Sequence, residues 1–226
     1  MGTPHDNFFR DTFSKPEHAA PLLRALLPPE IVSAIDWDSL TPVPTAQFGE
    51  EQQDQRTDVL FSVRLRGRAA LLYVLFEHTV RPKRRIALRV LAYMVGVWKD
   101  LLRQSPSPEL LPPILPVVVS LGRRRWRTST DLASLFDLGD MPAGPREVLL
   151  AALPQYRFQP FEFAPRTAAE IRAMGLSAPG LLTIAAQQFV APVGHDDGAV
   201  VRAIAAWADV AKRLWRTPTG QQWFTG

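Results

Sequence analysis

The amino-acid sequence predicts an α/β fold: a mixed sheet flanked by helices, with a helical C-terminal part. Three features predict it. Residues 57 to 65 alternate apolar and polar side chains, and residues 69 to 80 are apolar on both faces. Residues 84 to 102 then carry apolar side chains at helical spacing before a short apolar run at 114 to 121. Strand, strand, helix, strand is the order in which a helix covers one face of a sheet.

The elements follow in order. Residues 5 to 27 place Phe8, Phe9, Phe13, Ala19, Leu22, Leu23, Leu26 and Leu27 at helical spacing, with a break at Ser14-Lys15-Pro16. Two short helices fit, because proline is tolerated in a first helical turn and serine can cap one. Pro28-Pro29 ends the second, and residues 36 to 56 read as a polar connection anchored by Trp37, Leu40 and Val43. In the alternating run, Val59, Phe61, Val63 and Leu65 share one face and Asp58, Leu60, Ser62 and Arg64 the other, which predicts a strand with one buried face. Gly67 and Arg68 predict a tight turn, and AALLYVLFEHTV a central strand paired with the first as a hairpin.

In the helix, Ile86, Val90, Met94, Val97 and Leu101 form one stripe, with Leu91, Val95, Trp98 and Leu102 beside it, a face wide enough to cover a sheet. ILPVVVSL at 114 to 121 reads as a short buried strand. Beyond it come a basic loop at 122 to 130, short helices around 131 to 136 and near 145 to 153, and the extended aromatic segment YRFQPFEF. Helical stretches near 167 to 189 and 198 to 215 finish the chain. The expected division is an α/β domain over 1 to 190 and a helical extension over 191 to 226, with Pro192 to Gly198 as the linker.

Composition bounds the function. The chain of 226 residues, 46% apolar and 21% charged, has the balance of a globular protein. No apolar stretch is long enough to span a bilayer, and MGTPHDNFFR lacks the basic and apolar regions of a secretory signal, so a cytoplasmic protein without a membrane partner is expected. The absence of cysteine excludes disulfides, thiolate nucleophiles and cysteine-type zinc sites. The four histidines are scattered, so any metal should be a hard ion bound by oxygen. The net charge of +4 favours anionic partners, and it is clustered: Arg64, Arg66 and Arg68; Arg81, Lys83, Arg84, Arg85 and Arg89; Arg123, Arg124, Arg125 and Arg127.

The constellation with chemical potential lies on the hairpin. Alternation puts Glu77 and Thr79 on one face and His78 on the other, where a hydrogen-bonded core histidine is expected. A turn at 67 and 68 would set Asp58 directly opposite Glu77. Two carboxylates facing each other repel, and a divalent cation shared between them removes that cost. On spacing alone a solvated or arginine-paired carboxylate is the commoner arrangement, and Arg56 is close enough in sequence to serve Asp58. Asp6 is expected to cap the first helix, and Glu50 and Glu51 to lie on a solvated loop.

These blocks resemble a known family. HDNFFRDTFSKPEHAAPLLRALLP, RTDVLFSVRL, LLYVLFEHTV, ALRVLAYMVGVW and LPPILPVVVSLGRRRW are similar, in order, to the Rpn recombination-promoting nucleases, also labelled putative transposases, a branch of the PD-(D/E)XK nuclease superfamily. The resemblance covers roughly residues 4 to 165. It implies a PD-(D/E)XK nuclease-like core of αβββαβ type and DNA cleavage dependent on Mg2+ or Mn2+. Asp58 falls at the family's metal-binding aspartate and Glu77 at the glutamate of its Glu-x-Gln motif. Thr79 falls where the family has glutamine and the superfamily lysine, so the chain departs from the pattern there. The resemblance makes Asp58, Glu77 and Thr79 the catalytic set, with Asp58 and Glu77 holding the metal. Arg56, Arg81, Lys83, Arg84 and Arg124 are then the basic residues expected to hold DNA, with Lys83 or Arg81 able to swing back toward the position of Thr79. Copies of the chain are expected to associate, if they do, through the Trp-rich C-terminal helix with Trp207 and Trp215.

Overall fold

The computed structural model describes residues 4–44, 58–77, 84–104, 110–121, 125–163, 166–190, 197–218 and 220–221. The chain opens with helices α1 (Pro4–Phe13), α2 (Pro16–Leu26) and α3 (Pro29–Ala34). Strands β1 (Ile35–Val43), β2 (Val59–Leu65) and β3 (Arg68–Glu77) follow, then helix α4 (Ile86–Gln104) and strand β4 (Ile114–Ser120). Helix α5 (Ala143–Ala152), strand β5 (Pro160–Glu162) and helices α6 (Ala168–Arg172), α7 (Ala178–Ala185), α8 (Asp197–Ala205) and α9 (Ala208–Trp215) complete it.

The five strands form one mixed sheet in the order β1-β2-β3-β4-β5. The first three pair antiparallel, whereas β4 runs parallel to β3 and β5 parallel to β4. A parallel pair needs a long crossover, and α4 is part of the one between β3 and β4. It lies on one face of the sheet, where Ile86, Val90, Tyr93 and Val97 meet Leu60, Leu71, Tyr73, Leu75 and Val118. The opposite face packs on Phe9, Phe13, Leu22 and Leu23 from α1 and α2 and on Ile184 from α7. Trp207, which precedes α9, and Val210 of α9 join this second cluster, so α9 packs on the same core as α1 and α7.

Sandwiched between helices, β3 is buried on both faces after its first two residues. The same cover buries Leu60, so the first half of β2 is two-faced rather than the one-faced strand its alternation predicts. Three further corrections follow from local chemistry. Residues 35 to 43 are an edge strand, not part of a polar connection; an irregularity between Asp36 and Thr41 breaks the alternation that would have revealed it. Pro42 is tolerated because the strand is at the sheet edge. The hairpin turns at Arg66 and Gly67, not at Gly67 and Arg68: both have positive φ, 49° and 79°, and Leu65 pairs with Arg68. That is the two-residue turn whose twist matches the strands. Finally, Val95 and Leu102 of α4 are exposed, while the buried stripe includes Ala87, Tyr93 and Asp100.

The first two helices form where expected, broken at Ser14 and Lys15. α1 starts at Pro4, which puts Asp6 inside the first turn instead of at the cap, since the proline itself supplies a ready-made first helical residue.

Candidate functional site

Asp58 immediately precedes β2 and Glu77 closes β3. The pairing of Val59 with Val74, extended by one residue, sets Asp58 across from Leu75. Glu77 is therefore two residues further along β3, diagonal to Asp58 and not opposite it. The difference comes from the turn, because moving it back by one residue shifts every cross-strand partner by two. Diagonal neighbours on one face are roughly 7–8 Å apart, within reach of long side chains. Alternation puts Tyr73, Leu75 and Glu77 on the α4 side with Leu60, so the two carboxylates share one face. On the other side of Glu77, Ser120 is its partner on β4.

Both carboxylates are buried, Asp58 4% and Glu77 8% exposed. A buried carboxylate requires compensating donors. Tyr73 donates its hydroxyl to Asp58 Oδ2 at 2.5 Å. Arg89, on the first turn of α4, donates from Nη2 to Glu77 Oε2 at 3.3 Å. The Tyr73 ring stacks face to face on Tyr93, with centroids 3.9 Å apart and planes within 11°. Burial, the Asp58 charge and the hydrogen bond to it hold the Tyr73 hydroxyl well above the usual phenol range, against a smaller opposite pull from Arg89. Burial and then the Asp58 charge push Tyr93 up as well. These influences tie Asp58, Tyr73, Tyr93, Arg89 and Glu77 into one electrostatic cluster, in which both tyrosines stay protonated.

Of the basic residues expected near the site, Arg84 is exposed in the turn that leads into α4. Thr79, His78, Arg56, Arg81, Lys83, Arg124, Glu50 and Glu51 lie outside the described residues, as do the side chains of His5 and Asp6. Sequence reasoning missed Tyr73, Tyr93 and the role of Arg89. Tyr73 was legible, being on the same alternating face as Glu77. Arg89 stood out only as one of a basic cluster, and nothing in the spacing tells which arginine of a helix end turns inward.

Among the described residues no group of three or more acidic or histidine side chains is arranged to hold a metal ion. Two carboxylates still suit Mg2+, which keeps several of its waters and is commonly bound through one or two carboxylates. The ion pair between Arg89 and Glu77 shows that this position accepts a positive charge.

Comparison with known proteins agrees with the architecture. Residues 3–182 match the family described as "Putative transposase, YhgA-like". The chain is 28% identical over 120 residues to "Recombination-promoting nuclease RpnC" of Escherichia coli (strain K12), covering 53% of this chain and 39% of that protein. It is 27% identical over 155 residues to "Recombination-promoting nuclease RpnD" of Escherichia coli O157:H7, covering 67% and 57%. A third relative, 30% identical over 95 residues and covering 42% and 92%, is named "Putative inactive recombination-promoting nuclease-like protein YjiP", from Escherichia coli (strain K12). The chain thus spans well under two-thirds of the length of RpnC and RpnD. No solved structure matches it. The family match runs from α1 into α7 and takes in every element that carries Asp58, Tyr73, Glu77 and Arg89, so the chain belongs to the family of YhgA-like transposases and Rpn recombination-promoting nucleases.

Proposed function

We propose that this chain is a DNA nuclease that hydrolyses phosphodiester bonds with the help of Mg2+ or Mn2+ held by Asp58 and Glu77. The observation that carries the reading is the placement of two buried carboxylates on one sheet face, at the adjoining ends of β2 and β3. When bound, the divalent ion would polarise the phosphate and lower the pKa of an attacking water. The residues of the chain do the rest. Tyr73 fixes Asp58 by its Oδ2. Leu75, Leu60 and the tyrosine pair exclude water from one side, which strengthens each electrostatic contact. In the hydrolysis, a water oxygen bonds to phosphorus as one bridging P–O bond breaks; the departing oxygen takes up a proton and the water releases one. The family relationship supports a nuclease, and the basic turn at Arg84 and Arg85 supports an anionic substrate.

A second reading is favoured by Thr79 alone. Glutamine or lysine at that position can reach the attacking water or the phosphate, whereas a threonine hydroxyl is several bonds shorter and uncharged. On this reading the chain keeps the fold as a DNA-binding module, with salt-sensitive binding and no cleavage. Incubating purified protein with supercoiled plasmid and Mg2+ separates the two. The nuclease reading expects nicking or linearisation that EDTA stops and that Asp58→Ala and Glu77→Ala each abolish. Cleavage surviving either substitution would remove the assigned site.

A further inference from the structure

At the third position of the motif, where the resemblance implies an amide or a cation that reaches the phosphate, this chain has Thr79. We propose that Arg89 fills this role from helix α4, as the residue that contacts the phosphate of the bound strand. The inference rests on the nuclease reading above.

Geometry favours it. The Arg89 side chain is 38% exposed and that of Glu77 10%, so the guanidinium sits at the rim between the carboxylate and solvent, where a phosphate would arrive. Its described contact to Glu77 is one N–O approach of 3.3 Å, long beside the about 2.7–2.9 Å of a good charge-assisted pair. The buried Nε has no hydrogen-bond partner among the described residues. The guanidinium is therefore held by a single edge and not by its fork. Phosphate oxygens match that fork in two places, which a lysine or a hydroxyl cannot do.

The carrier is rigid. Arg89 follows Ile86 and Ala87 and precedes Val90, all three fully buried against the sheet, on a helix of 19 residues. Its backbone N–H is bonded to the Arg85 carbonyl at 3.0 Å. Only the side chain has to move. With a divalent cation also on Glu77, the carboxylate attracts Arg89 less, and the guanidinium can turn outward to the substrate. Arg84 and Arg85, exposed one turn earlier, extend the same basic edge along the strand.

A role in merely propping up Glu77 makes different predictions, and three substitutions separate the two. Arg89→Gln keeps a donor for Glu77 but no charge; Arg89→Lys keeps charge but no fork; Arg89→Ala keeps neither. For each, single-turnover cleavage with Mg2+, affinity for a fluorescent DNA duplex in EDTA, and Mn2+ binding without DNA followed by electron paramagnetic resonance are measured. Loss of one preorganised phosphate contact is expected to slow cleavage by about 10²–10³-fold in Arg89→Ala and Arg89→Gln alike. Arg89→Lys should stay within about tenfold of wild type, since charge without bidentate geometry is a partial replacement. DNA binding should weaken about tenfold in the uncharged variants, the loss of roughly one charge-assisted contact. Mn2+ binding should be unchanged or tighter, because a competitor for Glu77 is gone. Rescue by Arg89→Gln, or Mn2+ affinity falling in step with cleavage, would overturn the inference and leave Arg89 a prop for Glu77. Full activity in Arg89→Ala would overturn it while leaving the nuclease reading intact. A wild type that never cleaves DNA would remove that reading, and this inference with it.

Discussion

Tyr73 and Tyr93 form a stacked pair in which only one hydroxyl has a described hydrogen-bonding job, and this makes a controlled experiment. Tyr73→Phe removes a donor from a carboxylate that is 4% exposed, while leaving the ring stack in place. Hydrogen bonds to charged groups contribute about 1.5–3 kcal/mol, and that is the expected loss of stability in metal-free protein at neutral pH. In a chain of this length it corresponds to a fall in melting temperature of about 3–12 °C. Tyr93→Phe removes a hydroxyl that is buried and has no hydrogen-bond partner among the described residues. Deleting such a group is neutral or stabilising, because the cost of burying it disappears with it. Urea denaturation of both variants, in EDTA, measures the contrast. Repeating Tyr73→Phe on an Asp58→Asn background should reduce its cost to about 0.5–1.5 kcal/mol, the range for a hydrogen bond between neutral groups. If the two Phe variants have equal stability within about 0.5 kcal/mol, the Tyr73 hydroxyl is not holding Asp58 and its positioning role is refuted.

Three other outcomes are expected. With Arg89 serving the third position, Thr79→Gln should change the rate of plasmid cleavage with Mg2+ little from wild type; a large increase means that this position is not served from α4. Asp209 is bonded to Arg172 through both oxygens, at 2.9 and 3.1 Å, and the arginine also stacks 4.4 Å over Trp207. That hydrogen bonding holds the Asp209 carboxyl below its usual range. A lowered carboxylate contributes stability above the unfolded aspartate pKa of about 4, and loses it as pH falls through the folded value. Asp209→Asn should therefore lower the melting temperature at neutral pH, with the difference from wild type shrinking in acid; a difference constant with pH contradicts the ion pair. Gly67→Val places a β-branched residue at a φ of 79° and should cost about 1–2 kcal/mol by urea denaturation, although a side chain there would meet no atoms.

The fold was readable wherever burial follows a period. β3 and β4 are runs with no polar interruption, and α4 has a continuous stripe, so each fell close to its true place. β1 was not readable because Asp36, Asp38, Ser39 and Pro42 interrupt it, and its irregularity is held by contacts made far away in sequence. The Arg64 backbone N–H, for example, donates to Ser39 Oγ at 2.8 Å. The αβββαβ core that the family resemblance implies requires this strand, and the resemblance, unlike the periodicity, pointed to it. At the candidate site, chain position and alternation sufficed to bring Asp58 and Glu77 to one face. Their offset was not available, since it depends on which pair of residues takes positive φ in the turn. Nor was the Arg89 donor from α4, because a helix crossing a sheet chooses its contacts by packing rather than by sequence distance.

The Arg66 and Gly67 turn also governs what kind of change this protein can survive. A strand counts in twos, so adding or removing a single residue there would carry Glu77 to the far side of the sheet relative to Asp58 while both remain unmutated. Arg68 and Glu77 are the two ends of the ten-residue strand β3, about 30 Å apart at 3.3 Å per residue step. Chemistry at one end of the hairpin is thus conditional on the parity of a loop at the other. Among natural variants of this sequence, length changes in that loop should come in pairs of residues, or arrive with a compensating bulge, even where the residues themselves vary freely.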